Sequence, residues 1–331
     1  MPSILKTSDS PILKVRDLRV RFNLAHHSLE AIRGVSFDVR RGEALGIVGE
    51  SGSGKSQTMM AMLGLLAANG VASGEVWLEG RQILGIRERD LNTIRGNRMA
   101  VVFQDPMSSL NPYLRIEKQM TETLRLHKGM SVASARKRAL EMLEAVKIPG
   151  ARQRIRCYPH EFSGGMRQRV MIAMALLCEP AVLVADEPTT ALDVTVQAQI
   201  IYLLDELRRD FNTAIILITH DMGVVAGLCE RVLAMYGGRV IEKGQAEDLF
   251  YRSHHPYTAA LLNAMPKVDE ACGERLKAIP GSPPDLQHLP SGCPFAPRCE
   301  YVMARCLEEE PGLETVTGDH ARACFYDGLG G

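Results

Sequence analysis

The sequence predicts an α/β protein with a central, largely parallel sheet, and three observations support this. Short apolar runs that are typical of buried strands recur along residues 12–250. Each run is followed by polar residues, and amphipathic stretches alternate with the runs. The run at 44–48 leads directly into a glycine-rich stretch. Strands buried on both faces read as continuous apolar runs, and their alternation with helical patterns indicates a parallel sheet.

The glycine-rich stretch at 49–56 reads Gly-Glu-Ser-Gly-Ser-Gly-Lys-Ser and fits the pattern of a phosphate-binding loop. In that pattern glycines let backbone N–H groups close around phosphates, the lysine reaches the β and γ groups, and the final serine binds magnesium. The following stretch, 57–63, predicts a helix whose N-terminus favours anions. The predicted nucleotide-binding residues here are Gly49, Ser51, Gly52, Ser53, Gly54, Lys55, Ser56 and Gln57.

Two changes of pattern divide the chain. Between 106 and 178 the sequence pattern becomes helical, as in the charged amphipathic segment 133–143. This change predicts a helical subdomain inserted in the α/β core. After Arg252 the sequence becomes proline-rich. We therefore expect a nucleotide-binding domain over 12–250 and an irregular appendage over 251–331.

Composition restricts the class of partner. Basic and acidic residues balance at 39 each in 331 residues, so no overall field favours nucleic acid, and we expect no nucleic-acid partner. No apolar run approaches the roughly 18 to 20 residues that cross a bilayer, and the N-terminus lacks the apolar region of a secretory signal. Any membrane role would come through a partner.

Polar residues with the chemistry of phosphoryl transfer follow several of the apolar runs. This reaction needs a metal carboxylate, a group that polarises water and a group that contacts the γ-phosphate. Asp186 is predicted to hold magnesium together with Ser56 and Gln104, because the carboxyl ends of parallel strands meet at one edge. Glu187 is predicted to polarise the attacking water. His220 is predicted to contact the γ-phosphate and to orient that water, and Gln104 to connect the site with the helical insert.

Each of these residues also has a plain structural interpretation, since an acidic residue after a strand is often a helix cap and a lone histidine is usually structural. Their order along the chain is more specific. With the phosphate loop and Ser163-Gly164-Gly165, this order resembles the ATP-binding cassette (ABC) ATPases over residues 12–250.

The resemblance implies that two ATPase subunits pair. In this family Ser163, Gly164 and Gly165 belong to a signature motif at a helix start, which contacts the γ-phosphate held by the other subunit. Here Phe162 and Met166 stand where the family usually has Leu and Gln. The segment Ala191-Leu192-Asp193 resembles the loop that crosses the dimer interface, and Phe22 resembles the aromatic residue that stacks on adenine, although a strand-end Phe is more often core.

Three further segments, 103–112, 255–258 and 292–299, resemble the peptide and nickel importer ATPases, and the third is similar to the C-terminal extension of the dipeptide and oligopeptide subunits. The resemblance implies an ATPase at the cytoplasmic face of the membrane, bound to two permease subunits that receive substrate from an external binding protein. It also implies a second, different ATPase subunit. Nickel and glutathione importers stay open as alternatives. Translation and DNA-repair ATPases of this class usually carry two cassettes or long coiled coils, and neither pattern occurs here.

The extension contains a group of four cysteines, Cys293, Cys299, Cys306 and Cys324. Five, six and seventeen residues separate them in turn, which matches neither a zinc ribbon nor a ferredoxin run, so the residues alone leave zinc and an iron–sulfur cluster open. Resemblance to the dipeptide ATPases implies a [4Fe–4S] cluster, with zinc or unligated thiols as alternatives. Disulfides are disfavoured in the cytoplasm.

Overall fold

The computed structural model describes residues 10–105, 109–190, 192–265 and 279–330. Its strands are β1 Leu13–Asn23, β2 Ser28–Val39, β3 Ala44–Val48, β4 Gly70–Leu78, β5 Arg81–Gln82, β6 Met99–Val102, β7 Val182–Asp186, β8 Ala214–Thr219, β9 Arg231–Tyr236, β10 Arg239–Gln245, β11 Glu314–Thr317 and β12 His320–Arg322. Residues 106–108 of the predicted segment 103–112 and Ala191 of the predicted interface loop lie outside the described residues.

The predicted parallel sheet is present. Its strand order is β11-β12-β10-β9-β3-β8-β7-β6, and β9, β3, β8, β7 and β6 run parallel to one another. Every residue of β3, β7 and β8 is buried, which explains why these strands read as continuous apolar runs. Because the strands are parallel, their carboxyl ends meet at one edge, and the candidate site lies there.

A second, antiparallel sheet has the order β2-β1-β4-β5. Its buried side chains, such as Val15 and Ile32, share one hydrophobic core with Ile47 and Ile216 of the parallel sheet and with Met59 of helix α1, Lys55–Met62. The apolar runs in the sequence did not distinguish these strands from the parallel ones. Sheet membership depends on pairing between distant strands, which the pattern of one strand does not reveal.

The remaining described helices are α2 Glu88–Leu91, α3 Ile116–Lys128, α4 Val132–Ala145, α5 Ala151–Arg154, α6 Gly164–Leu176, α7 Val194–Phe211, α8 Met222–Leu228, α9 Ala246–Tyr251, α10 Pro256–Asn263 and α11 Ala304–Glu308, with 3-10 turns at Pro159–Glu161 and Ala296–Arg298. A second hydrophobic core joins Met120 of α3, Leu143 of α4 and Ile172 of α6 to Leu183 and Leu217 of the parallel sheet. Helices α3 to α6 lie between β6 and β7 in the chain, where the helical insert was expected. None of the described helices is both long and apolar enough to span a membrane.

The C-terminal extension is packed onto the core sheet. Strand β12 pairs antiparallel with β10, placing Arg322 opposite Glu242, and β11 pairs with β12. Phe295 packs edge-on against Tyr236 and Tyr257, with ring centroids 5.3 and 5.4 Å away. The expectation of an irregular appendage is therefore wrong for residues 314–322, because they form two strands that extend the sheet from the edge of β10.

Candidate active site

The phosphate loop connects β3 to helix α1 and has a backbone that only glycine accommodates at two of its positions. Gly49 has φ 150° and Gly54 has φ 104°. A Cβ at Gly49 would lie 2.3 Å from the Met235 carbonyl oxygen, and one at Gly54 would lie 2.5 Å from Ile32 Cδ1. The loop is thus closely packed between β9 and β2. This packing fixes the direction in which its N–H groups point.

Lys55 is the first residue of α1, and only 6% of it is exposed. Its ammonium donates hydrogen bonds to the carbonyl oxygens of Gly49, at 2.6 Å, and Glu50, at 2.9 Å. Burial lowers the pKa of Lys55, while the negative charges of Glu187 and Asp186 act in the opposite direction. The ammonium is therefore held at the centre of the loop, facing the two carboxylates.

Asp186 ends strand β7 and is 8% exposed. Burial raises the pKa of its carboxyl group, and a hydrogen bond with the Ser56 side chain acts against this increase. Gln104, which follows β6, lines one cavity together with Ser56 and Asp186. A carboxylate, a hydroxyl and an amide oxygen are ligands that suit Mg²⁺. The three predicted magnesium ligands thus lie together and fit that ion.

Glu187 lies at the centre of a hydrogen-bond network. Its carboxylate accepts from Gln104 Nε2 and Thr190 Oγ1, both at 2.9 Å, and contacts His220 Nδ1 at 3.0 Å. Burial acts to raise the pKa of Glu187, but the hydrogen bonds from His220 and Thr190 outweigh it, so the pKa is lowered. The carboxylate is therefore ionised at neutral pH and aimed by three neighbours.

The backbone at Glu187 is also constrained. Its φ of 47° lies in the left-handed region, which is uncommon for a residue other than glycine. The Glu187 N–H donates to the Ile218 carbonyl of β8 at 2.8 Å, which holds this conformation. Strain of this kind often occurs at functional sites. Here it turns the carboxylate away from the strand and toward Gln104 and His220.

Most of these groups line one cavity of about 820 Å³, a size suited to a small-molecule ligand, whereas Asp186 lines a separate cavity that shares Ser56 and Gln104 with it. Phe22 lies in its wall, at the end of β1, as does every predicted catalytic residue: Lys55, Gln104, Glu187 and His220. Pro283 and Leu286 of the C-terminal extension also line it. These two residues were not predicted from the sequence, because no local pattern indicates that the extension returns to a site more than two hundred residues away.

Comparison with known proteins identifies the family. A family model described as "ABC transporter" matches residues 32–190, and one described as "Oligopeptide/dipeptide transporter, C-terminal region" matches residues 241–306. The oligopeptide transport ATP-binding protein OppD of Salmonella typhimurium is 58% identical over 314 residues, which cover 95% of this chain and 93% of that protein. The chain belongs to the ABC transporter ATPases. The chain is accordingly an ATPase.

A second relative and a solved structure agree with this assignment. The dipeptide transport ATP-binding protein DppD of Lactococcus lactis is 49% identical over 315 residues, covering 95% of this ABC ATPase and 90% of that protein. The dimeric post-hydrolysis state of the ATP-binding cassette MJ0796, bound to ADP and Pi, has a TM-score of 0.63 and 28% identity. It covers 71% of this chain, and 98% of the MJ0796 chain is matched.

The signature residues of this ABC ATPase lie at a helix start. Ser163 caps α6, where its hydroxyl accepts a hydrogen bond from the Met166 N–H at 3.4 Å, and Gly164 and Gly165 begin that helix. Asp193 caps α7 in the same way through the Val196 N–H at 2.9 Å. Within the described parts of the chain, the wall of the 820 Å³ cavity includes none of these predicted nucleotide contacts. A single chain does not bring them to its own phosphate loop.

The four cysteines of the extension of this ABC ATPase lie near one another. The pKa of Cys293 is raised to about 11, with burial as the largest cause. The charges of Cys306 and Cys324 also raise it, while N–H groups of Phe295 and Ala296 lower it. Among the described residues, however, no three or more His, Cys, Asp or Glu side chains are arranged so that they could hold a metal ion. The arrangement of the described side chains therefore does not support the predicted cluster or its zinc alternative.

Proposed function

We propose that this ABC ATPase is the ATP-hydrolysing subunit of an importer for oligopeptides or dipeptides. One observation carries the proposal: the match to peptide-transport ATPases extends through both parts of the chain. It covers the nucleotide-binding core and also the C-terminal region 241–306, which is described for oligopeptide and dipeptide transporters. The extension in turn contributes Pro283 and Leu286 to the nucleotide cavity.

In the proposed mechanism the phosphate loop binds the triphosphate through its N–H groups and the Lys55 ammonium. Phe22, which lines the same cavity, stacks on adenine. Ser56, Gln104 and Asp186 would hold Mg²⁺, which when bound neutralises charge on the phosphate oxygens. The raised pKa of Asp186 fits this role, because a buried carboxylate gains from a nearby cation.

For hydrolysis, the proposed base is Glu187. Its carboxylate accepts the hydrogen bond of the attacking water and takes the proton as the new O–P bond forms and the bond from the γ-phosphorus to the ADP oxygen breaks. His220 contacts the γ-phosphate and orients the water. His220 and Thr190 lower the pKa of the Glu187 carboxylate, and together with Gln104 they direct it into the cavity before ATP arrives.

The proposed active form is a dimer of two different ATPase chains. Ser163, Gly164 and Gly165 of one subunit would face the nucleotide held by the other, because they cap an exposed helix start and do not line their own cavity. Asp193 would lie in the loop that crosses the interface. We also propose two permease subunits and an external binding protein as partners, with this chain peripheral at the cytoplasmic face of the membrane. The proposed domains are 12–250, with a helical subdomain at 106–178, and 251–331.

The importer proposal is tested in cells that lack this chain. Uptake of labelled di- and oligopeptides should fall to background and return with the native chain, but not with Lys55→Ala. Undiminished peptide uptake would refute the proposal. Loss of nickel or glutathione uptake instead would reassign the substrate. Purification from the native membrane should recover two permeases and a second ATPase, and recovery of two identical ATPase chains would refute the heterodimer.

A [4Fe–4S] cluster on Cys293, Cys299, Cys306 and Cys324 is a separate proposal. Its support is that three of these thiols accept N–H groups two residues further along, as Cys324 does from Tyr326 at 3.4 Å. Such bonds favour a thiolate, the form that ligates metal, and they act against burial, which raises the pKa of these three thiols. Iron and sulfide assays after anaerobic purification test it. About four irons per chain support the cluster, whereas stoichiometric zinc, or no metal, refutes it.

A further inference from the structure

The C-terminal extension of this ABC ATPase contacts the phosphate loop through one ion pair. The Arg298 guanidinium donates to both carboxylate oxygens of Glu50, at 2.7 and 2.9 Å. Only 5% of the Arg298 side chain and 23% of the Glu50 side chain are exposed. Bidentate, charge-assisted pairs of this kind are strong, and burial protects them from screening by salt.

Glu50 is also connected to the lysine of the loop. Its carbonyl oxygen accepts from Lys55 Nζ at 2.9 Å, and its N–H donates to the Tyr257 hydroxyl oxygen at 2.7 Å. The same residue therefore contacts helix α10, the extension and the ammonium that faces the phosphates. A displacement of Glu50 would move a carbonyl that orients Lys55.

Arg298 is itself held rigidly by the extension and the core. Its Nε donates to the Pro280 carbonyl at 2.7 Å, and one terminal nitrogen donates to the Tyr236 hydroxyl at 3.2 Å. The guanidinium carbon lies 5.9 Å from the ring centre of Tyr236 and 6.0 Å from that of Phe295. Because these contacts fix its position, little further order is required when it pairs with Glu50.

The negative charge of Glu50 connects this ion pair with nucleotide binding. Glu50 lines the nucleotide cavity, so an unpaired carboxylate there would repel the anionic triphosphate. We infer that Arg298 is a positioning residue for ATP binding: it neutralises Glu50 and fixes the phosphate loop, which makes the extension part of the nucleotide site. This inference uses ATP binding at the loop and holds whatever substrate the importer carries.

Arg298→Met and Glu50→Gln test the inference because both break the same ion pair. If the pair were merely structural, both variants would change ATP affinity in the same direction. If Arg298 neutralises Glu50, Arg298→Met should weaken ATP binding about tenfold, while Glu50→Gln, which removes the repelling charge, should not weaken it more than about twofold. The double variant should recover most of the affinity lost in Arg298→Met.

The measurement is isothermal titration of the full chain, purified anaerobically, with a non-hydrolysable ATP analogue and Mg²⁺, at two salt concentrations and alongside melting temperature. Glu310→Gln is the matched control. Glu310 accepts two hydrogen bonds from Arg33, at 2.9 and 2.7 Å, and forms an ion pair with Arg239 at 3.0 Å, so it also ties the extension to the core, but it does not line the cavity. Its substitution should lower the melting temperature and leave ATP affinity unchanged.

Two results would overturn the inference. One is an equal loss of affinity in Arg298→Met and Glu50→Gln, or no loss in either. The other is a loss in Glu310→Gln as large as that in Arg298→Met. If Arg298→Met does not fold, Arg298→Lys replaces it. Lysine keeps the charge but loses the fork of donors, so affinity within about threefold of the native value supports neutralisation, and a tenfold loss refutes it.

Discussion

Replacing Glu187 by Gln tests the proposed base with little disturbance of structure. Gln104 and Thr190 both donate to Oε2 of Glu187, so the amide oxygen of the variant can occupy that position and keep both bonds. The amide nitrogen then faces His220 Nδ1, which accepts in the neutral tautomer that carries its proton on Nε2. The variant therefore retains the contacts and loses the charge.

The two consequences differ in size. Converting charge-assisted hydrogen bonds to neutral ones costs roughly 0.5–1.5 kcal/mol of stability. A positioned base contributes about 10²–10⁴ in rate, which is roughly 2.7–5.5 kcal/mol of the barrier. We expect Glu187→Gln to bind ATP with native affinity, to melt within a few degrees of the native chain, and to hydrolyse ATP at least about a hundredfold more slowly.

The assay is phosphate release at saturating MgATP by the chain assembled with its membrane partners, with ATP binding measured separately. Glu309→Gln is the matched control, because Glu309 is an exposed carboxylate that pairs with Arg305 at 2.9 Å, in the C-terminal extension and outside the cavity wall. It should hydrolyse ATP at the native rate. Steady-state hydrolysis by Glu187→Gln within threefold of native would refute the assignment of Glu187 as the base.

Three further predictions concern the loop, the metal site and pH. Gly54→Ala places a Cβ 2.5 Å from Ile32 Cδ1 at a φ of 104°, so calorimetry and titration should show a melting temperature lower by several degrees and weaker ATP binding, and unchanged values would contradict this. Asp186→Asn removes the carboxylate beside Ser56; ATP affinity should fall at least about tenfold with Mg²⁺ but less than threefold in EDTA, and equal losses would contradict the metal role. The pKa of Glu187 is lowered, because its hydrogen-bond donors lower it by more than burial raises it. The charge of Glu187 therefore stabilises the fold above about pH 4.5, and this stabilisation is lost as the pH falls through the lowered pKa. The difference in unfolding free energy between native and Glu187→Gln chains should be constant above about pH 5 and shrink below it, and growth toward acid pH would contradict this.

The sequence predicted well which residues meet at the carboxyl edge of the sheet, because its signals are local. A phosphate loop is one contiguous stretch, and Asp186, Glu187 and His220 each follow an apolar run. Parallel strands then bring their carboxyl ends to one edge, so positions far apart in the chain become neighbours without any further information. The observed contact of 3.0 Å between His220 and Glu187 follows from the pairing of β8 with β7.

The extension was harder to predict because its contacts depend on distant partners. Arg298 and Glu50 are 248 positions apart, and the local sequence around either residue does not indicate that it pairs with the other. The pairing of β12 with β10 likewise requires knowledge that β10 has a free edge. A proline-rich sequence indicates where regular structure is interrupted, but it does not indicate what the following residues pack against.

Gln104 gives the site a physical connection to the helical region that follows β6. Its amide is one of the three groups that contact the Glu187 carboxylate, and it is the one located on the segment leading from the sheet to α3. A hydrogen bond of 2.9 Å is lost when the donor and acceptor separate beyond about 3.5 Å, so a shift of less than an ångström would release it. Release would remove one of the groups that aim the carboxylate. Movement of the helices could therefore change the rate of hydrolysis while the phosphate loop stays in place.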